Sequence, residues 1–357
     1  MSLEERLKAR IRLDGPMTVA DYVTACLHDP QDGYYAVRPR IGSEGDFITA
    51  PLISQMFGEL LGLWAVETWR RLGAPERFRL VEVGPGDGTL IDDALRAARL
   101  DPAFLQAAEL VLVEPSRPLR AVQARRLAGA DLEPRWLTDI GALEADLPVV
   151  LIANEVLDCL PARQFVRTED GWAERRVGLD AAGALTFGLG PAEPVAAPFP
   201  VRAREVVEIA PAQQAFGRTL GELVGAARGA ALLIDYGRGR PEPGDTLQAL
   251  RGHRKIPPLQ APGHADLTMW ADFPAVLRAA LGGGADVTEV IGQGAFLKAL
   301  GIEARAAALA RANPQRQGLL SRQVARLTAP DQMGELFKAA AIFAPRSLAV
   351  PGFEARR

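Results

Sequence analysis

The chain has 357 residues, 48% of them hydrophobic and 24% charged, which is enough apolar material for a full core and excludes fibrous and disordered classes. By length it is one elaborated α/β domain or two smaller ones. Lys plus Arg number 41 against 44 Asp plus Glu, a net charge of −3 without a long basic run, so nucleic acid is not an expected partner.

The opening MSLEERLKARIRLDG places Glu4 and Glu5 where a secretion or import signal would be apolar or acid-poor. No apolar run approaches a membrane span, and the best, Val149 to Ala153, stops at Asn154. Two cysteines, Cys26 and Cys159, allow one disulfide at most and no all-thiolate zinc site, so a reducing, cytoplasmic compartment is the expectation. Residues 1–77 read as a helical and loop region forming part of the site. Within it, DGYYAVRPRIGSEGDFITAP has turn chemistry, and the run from Ile53 to Leu72 has helical spacing with Phe57, Trp64 and Trp69 facing a core.

From residue 78 the pattern becomes short buried strands alternating with helices, the signature of a Rossmann-like parallel sheet that should extend to about residue 240. Strands are predicted at Arg79 to Val83, Leu110 to Val113, Arg135 to Leu137, Val149 to Ala153 and Ala230 to Ile234, with a helix from Thr89 to Ala98. Turn signals at Asp170-Gly171 and Ala182-Gly183 predict an antiparallel insertion at about 163–200. Residues 241–357 should supply covering loops and the end of the same domain. Here the pattern gives helices from Pro274 to Leu281 and Phe296 to Ala312, and a last antiparallel strand from Lys338 to Ala344.

The sharpest motif is VEVGPGDGTL, which follows a strand and opens a helix. Gly84, Pro85, Gly86 and Gly88 turn the backbone tightly against a ligand at a helix N-terminus. A dinucleotide fingerprint would need its third glycine at position 89, where this chain has Thr, so the spacing argues against NAD. An adenosine ligand without phosphates suits the loop better: Glu82 can meet an ammonium group, and Glu114, ending the second strand, can accept both ribose hydroxyls. Together they favour S-adenosylmethionine. The plainer alternative is that Glu114 caps the next helix and the glycines make a turn.

The fourth strand ends in LIANEVLDCLP, bringing Asn154, Glu155 and Asp158 to the carboxyl edge of the sheet. An acid pair at this spacing can hold a guanidinium and aim one nitrogen at a methyl group. Equally, Asp158 can cap a helix and Asn154 can satisfy loop backbone. His28, His253 and His264 show no metal-ligand spacing.

The segments IGSEGDFITAPLISQMFGELLGLW, LVEVGPGDGTL, LVEPS, IANEVLDCLPARQFV, LLIDYG, GDTLQALRGHRK and HADLTMWADF together resemble the MidA-like methyltransferases. These are relatives of a mitochondrial protein-arginine methyltransferase that assists respiratory complex I assembly. The resemblance spans about residues 14–345. It implies a class I methyltransferase fold, S-adenosylmethionine as donor and a protein arginine as acceptor. By the same resemblance the protein substrate is the large quinone-site subunit of complex I, in a bacterial cytoplasm. Asp46 and Thr49 then lie in a segment folded over the donor, and His264, in HADLT, lines the acceptor channel. Asp87 stands where the family often has Arg. Two other readings stay open, a small-molecule methyltransferase and a catalytically idle assembly chaperone that binds the donor, and so does a homodimer.

Overall fold

Six main strands, most of them rich in Val, Leu, Ile and Ala, pair into one central sheet. The computed structural model describes residues 1–37, 49–169, 171–197 and 199–353. The strands are β1 (Phe78–Val83), β2 (Ala108–Val113), β3 (Arg135–Leu137), β4 (Val149–Asn154), β5 (Gly229–Arg238) and β6 (Phe337–Ala344), in the spatial order β3-β2-β1-β4-β5-β6. β1 to β5 are mutually parallel, while β6 runs antiparallel along β5 with Gly229 opposite Ala344. This is the Rossmann-like parallel arrangement expected from the strand-helix alternation.

Because side chains alternate across a strand, the two faces of the sheet feed two separate cores. On one face Leu80, Leu112, Ile152 and Leu232 pack on α1 (Gln55–Arg71) and α2 (Thr89–Ala98), with Phe57, Trp64 and Trp69 buried as their spacing required. On the other, Val81, Val111, Leu151 and Leu233 meet two helices, Pro211–Ala227 and Phe273–Gly282. A strand covered on both sides has no polar face, which is why β1 and β4 are buried at every residue.

The remaining pieces differ in detail from the sequence expectation. The single helix expected from Phe296 to Ala312 is two, Gln293–Ala299 and Ile302–Ala312, broken where Gly301 adopts φ 91. Between β4 and β5 the chain forms Arg163–Thr168, Gly171–Leu179, Leu185–Ala192 and Val206–Ile209, an antiparallel accessory sheet joined by Met17–Thr18. Asp170 lies outside the described residues. The stretch after β5 holds a second small sheet, Arg254–Ile256, Gln248–Arg251 and Asp266–Thr268 in that order. No helix among the described residues is long and apolar enough to cross a membrane.

After β3 the chain returns to the far side of β1, so the connections leaving β1 and β4 diverge. That divergence opens a crevice at the carboxyl ends of the strands.

Candidate active site

A cleft of about 320 Å³ occupies that crevice. Its lining includes Glu82, Gly84, Pro85, Gly86 and Asp87 after β1, Glu114 after β2, Thr138 to Ile140 after β3, and Asn154 to Val156 with Asp158 and Cys159 after β4. The N-terminal region supplies His28, Tyr34, Tyr35, Thr49 and Pro51.

In the glycine loop Gly84, Gly86 and Gly88 have φ 66, 56 and 84, the left-handed region that side chains resist. The loop is closed by the Gly88 N–H on the Pro85 carbonyl at 2.8 Å, and Gly84 donates to the Val113 carbonyl at 3.0 Å. Gly88 also caps α2, so the loop passes directly into a helix N-terminus. Asp87 accepts from the Thr89 N–H at 3.0 Å and pairs with Arg126 at 2.7 Å, so its charge is already matched.

Two buried acceptors in this part of the cleft lack partners among the described residues: Glu82 Oε2 and Asn154 Oδ1. Burial, followed by the nearby charges of Asp87 and Glu114, pushes the Glu82 carboxyl up to about 8. An unpartnered buried acceptor costs roughly 1–3 kcal/mol, so this corner suits a cationic donor group such as an ammonium. Glu114, also raised by burial, accepts from the Ser116 N–H at 2.8 Å and from Gln123 Nε2 at 3.3 Å while facing the cleft. The cap of the next helix is Ser116, whose hydroxyl accepts from the Leu119 N–H at 3.4 Å, so Glu114 is not that cap, and its two oxygens retain lone pairs for further donors. Gln123 escaped the sequence reading. Fully buried on the helix Arg117–Arg126, it also donates to the Gly86 carbonyl at 2.8 Å and accepts from Trp136 Nε1 at 2.9 Å, locking loop to acid.

The other end of the cleft is acidic and aromatic. Glu155 has φ 55, a strained conformation for a non-glycine residue, held by its N–H on the Ile234 carbonyl at 2.8 Å. Its Oε1 accepts from Asn154 Nδ2 at 3.0 Å and from the Ala50 N–H at 3.1 Å, tying β4 to the N-terminal region. Burial, then the charge of Asp158, pushes its carboxyl up to about 7. Asp158 is raised by burial as well and accepts from Cys159 Sγ at 3.3 Å. Tyr35 donates its hydroxyl to Asp266 Oδ1 at 3.1 Å, lies edge-on to Tyr34 at 5.1 Å and stacks with His28 at 6.0 Å. Burial lowers the pKa of His28 and so favours its neutral form. Beneath the site, Asp235 is fully buried and accepts from the Leu157 and Asp158 N–H groups at 2.8 and 3.2 Å, which fixes the turn bearing Asp158.

The cleft thus brings together Glu82, Gly84, Pro85, Gly86, Glu114, Asn154, Glu155, Asp158 and Thr49. Gly88 stands just behind the loop. His264 does not join them: it is exposed, with its N–H on the Ala261 carbonyl, and the histidine in the cleft is His28, delivered by the helix Val19–His28. Asp46 lies outside the described residues.

Residues 60–291 match the family described as "Putative S-adenosyl-L-methionine-dependent methyltransferase". The chain belongs to that family, the MidA-like methyltransferases. Protein arginine methyltransferase NDUFAF7, mitochondrial, of Xenopus tropicalis is 34% identical over 371 residues, covering 94% of this chain and 84% of that protein. Its Homo sapiens namesake is 36% identical over 359 residues, covering 93% and 81%. A crystal structure from Burkholderia thailandensis bound to S-adenosyl-homocysteine is 31% identical, covers 98% of this chain and 94% of that one, and has a TM-score of 0.87. This methyltransferase therefore uses S-adenosylmethionine.

One consequence concerns the loop. An alanine at Gly84 meets a left-handed backbone, which costs about 1–2 kcal/mol, and its Cβ would lie 3.0 Å from Val156 Cγ2. Gly84→Ala should weaken S-adenosylhomocysteine binding about tenfold by calorimetry, since that strain distorts the loop itself. Unchanged affinity would place the ligand away from it.

Proposed function

We propose that this methyltransferase modifies an arginine of a protein, a respiratory complex I subunit corresponding to the large quinone-site subunit. The observation that carries the reading is the pairing of carboxylates with tyrosines at one end of the cleft: Glu155, Asp158 and Asp266 beside Tyr34 and Tyr35. Carboxylates give a guanidinium charge-assisted hydrogen bonds, and aromatic faces attract it further. The curated relatives' names, protein arginine methyltransferase, support the same acceptor.

On this reading Glu82 and Asn154 hold the donor's ammonium, the Gly86 and Asp87 N–H groups its carboxylate, Glu114 its ribose hydroxyls, and Thr49 the rim. When bound, S-adenosylmethionine supplies a methyl group on a sulfonium, open to in-line displacement. Glu155 and Asp158 orient the guanidinium, and the proton leaving the methylated nitrogen passes to Glu155 Oε2, the oxygen not engaged by Ala50 or Asn154. Closure by the N-terminal region excludes water from the sulfonium. Both cysteines are free, which suits action in the cytoplasm.

Glu82 gives this assignment a pH signature. Its carboxyl, near 8 when folded, titrates far lower when unfolded, at about 4.3. The folded state then binds the extra proton, so the donor-free protein loses stability as pH rises from about 4.3 to about 8. A bound ammonium removes that penalty. The melting-temperature gain from S-adenosylhomocysteine should therefore grow between pH 5 and 8, and Glu82→Gln should flatten the dependence.

The acceptor is tested by incubating the protein with tritium-labelled S-adenosylmethionine and the complex I subunit, followed by mass spectrometry. Methylarginine is the expected product. Label on lysine or only on small molecules would refute the arginine assignment, and S-adenosylhomocysteine binding with no transfer would favour the idle chaperone.

A further inference from the structure

The small sheet beside the acceptor end carries an exposed cationic hairpin that the chemistry above does not use. Its strands Gln248–Arg251 and Arg254–Ile256 are joined by Gly252 and His253, both with positive φ, 55 and 59. Arg251, His253, Arg254 and Lys255 are all exposed, consecutive but for one glycine, in a chain whose acids outnumber its bases. Among the described residues Arg251, Arg254 and Lys255 form no salt bridge.

The arrangement works against the fold. Arg251 and Arg254 are register partners, so two like charges face each other directly across the ladder, an arrangement that destabilises a hairpin. His253 takes a left-handed turn position where glycine or asparagine is preferred. Two pairs further in, Ala249 and Ile256 pack on a core shared with the helix Val19–His28, so the core anchors the hairpin base. Like charges placed face to face, with no acid paired to them among the described residues, are where an external partner is to be sought.

Register connects the tip to the cleft. Lys255 pairs with Leu250, and Leu250 with Asp266, so the three form one row on one face of the sheet. Asp266 lines the acceptor end of the cleft. Two strand spacings separate Lys255 from Asp266, about 10 Å, which an extended peptide covers in about three residues.

Resting on the protein-arginine reading, we propose that this hairpin docks an acidic segment of the acceptor protein about three residues or more from the methylated arginine. Carboxylates on this face would pair with Lys255, Arg251 and Arg254 on the opposite face of the hairpin tip would add longer-range attraction, and the acids in the cleft would select the arginine itself. The interaction is a surface one, so it steers encounter and weakens with salt.

Fluorescence anisotropy of labelled synthetic peptides tests this without requiring turnover. One peptide has glutamates about three and four residues from an arginine, a second has serines there, and a third keeps the glutamates but has alanine for the arginine. At low salt, the acidic peptides should bind about tenfold more tightly than the serine peptide. The preference should vanish at high salt and in the triple variants R251E/R254E/K255E and R251Q/R254Q/K255Q. Unchanged S-adenosylhomocysteine affinity in those variants verifies that they fold. Equal affinity for acidic and serine peptides, or an acidic preference surviving in both variants, would overturn the proposal. So would tighter hairpin-dependent binding of single-stranded DNA or anionic vesicles than of the acidic peptides. Acidic peptides that bind through the hairpin but are never methylated would instead contradict the arginine reading and leave the docking inference standing.

Discussion

Glu114→Ala should raise the dissociation constant for S-adenosylhomocysteine about a hundredfold, because hydrogen bonds to a charged group contribute roughly 1.5–3 kcal/mol each and two ribose hydroxyls are lost together. The change also frees the Ser116 N–H and Gln123 Nε2, which Glu114 now holds at 2.8 and 3.3 Å. Gln123 bridges to the Gly86 carbonyl, so part of the loss would come through a slackened glycine loop. Glu114→Gln separates the contributions: it retains an acceptor for Ser116 and should lose only about tenfold. Calorimetry reads both. Affinity unchanged in the alanine variant would remove Glu114 from the donor site and leave it an acceptor for Ser116 and Gln123 alone.

At the acceptor end, Glu155→Gln and Asp158→Asn should each lower kcat on an arginine acceptor by about a hundredfold or more, the usual contribution of a positioned acid or base. Donor affinity should stay near wild type in Asp158→Asn. Glu155 has an additional signature in pH. With its carboxyl near 7, the rate should climb between pH 6 and 8 as the base ionises, and this rise should disappear in Glu155→Gln. A wild-type rate that falls over the same range would exclude Glu155 as the proton acceptor.

The glycine loop and Glu114 were legible in the sequence because each is fixed by a local rule. A strand of four or more apolar residues, a turn needing positive φ and a helix start must follow one another along the chain, and they do from Val81 to Leu90. Glu155 and Asp158 were legible for the same reason, at the end of a strand whose neighbours are all apolar. Tyr35 and His28 were not, because they reach the cleft by packing of the N-terminal region against elements more than 120 residues away, as the Tyr35–Cys159 contact illustrates. Sequence offers no spacing rule for such a contact, and the family resemblance points instead to His264, which is exposed. Gln123 was hidden differently: a glutamine on a helix reads as surface until β3 places Trp136 beside it. The helix breaks at Gly301 through a local left-handed residue, while the short strands after β5 reflect tertiary pairing prevailing over weak local pattern.

A crystal structure with S-adenosylhomocysteine bound would locate the donor, on whose position every role assigned above depends. The predicted result has the ribose hydroxyls on Glu114, the amino group between Glu82 and Asn154, and the sulfur facing Glu155 and Asp158. A ligand lying elsewhere, or one whose sulfur faces away from those two acids, would contradict it.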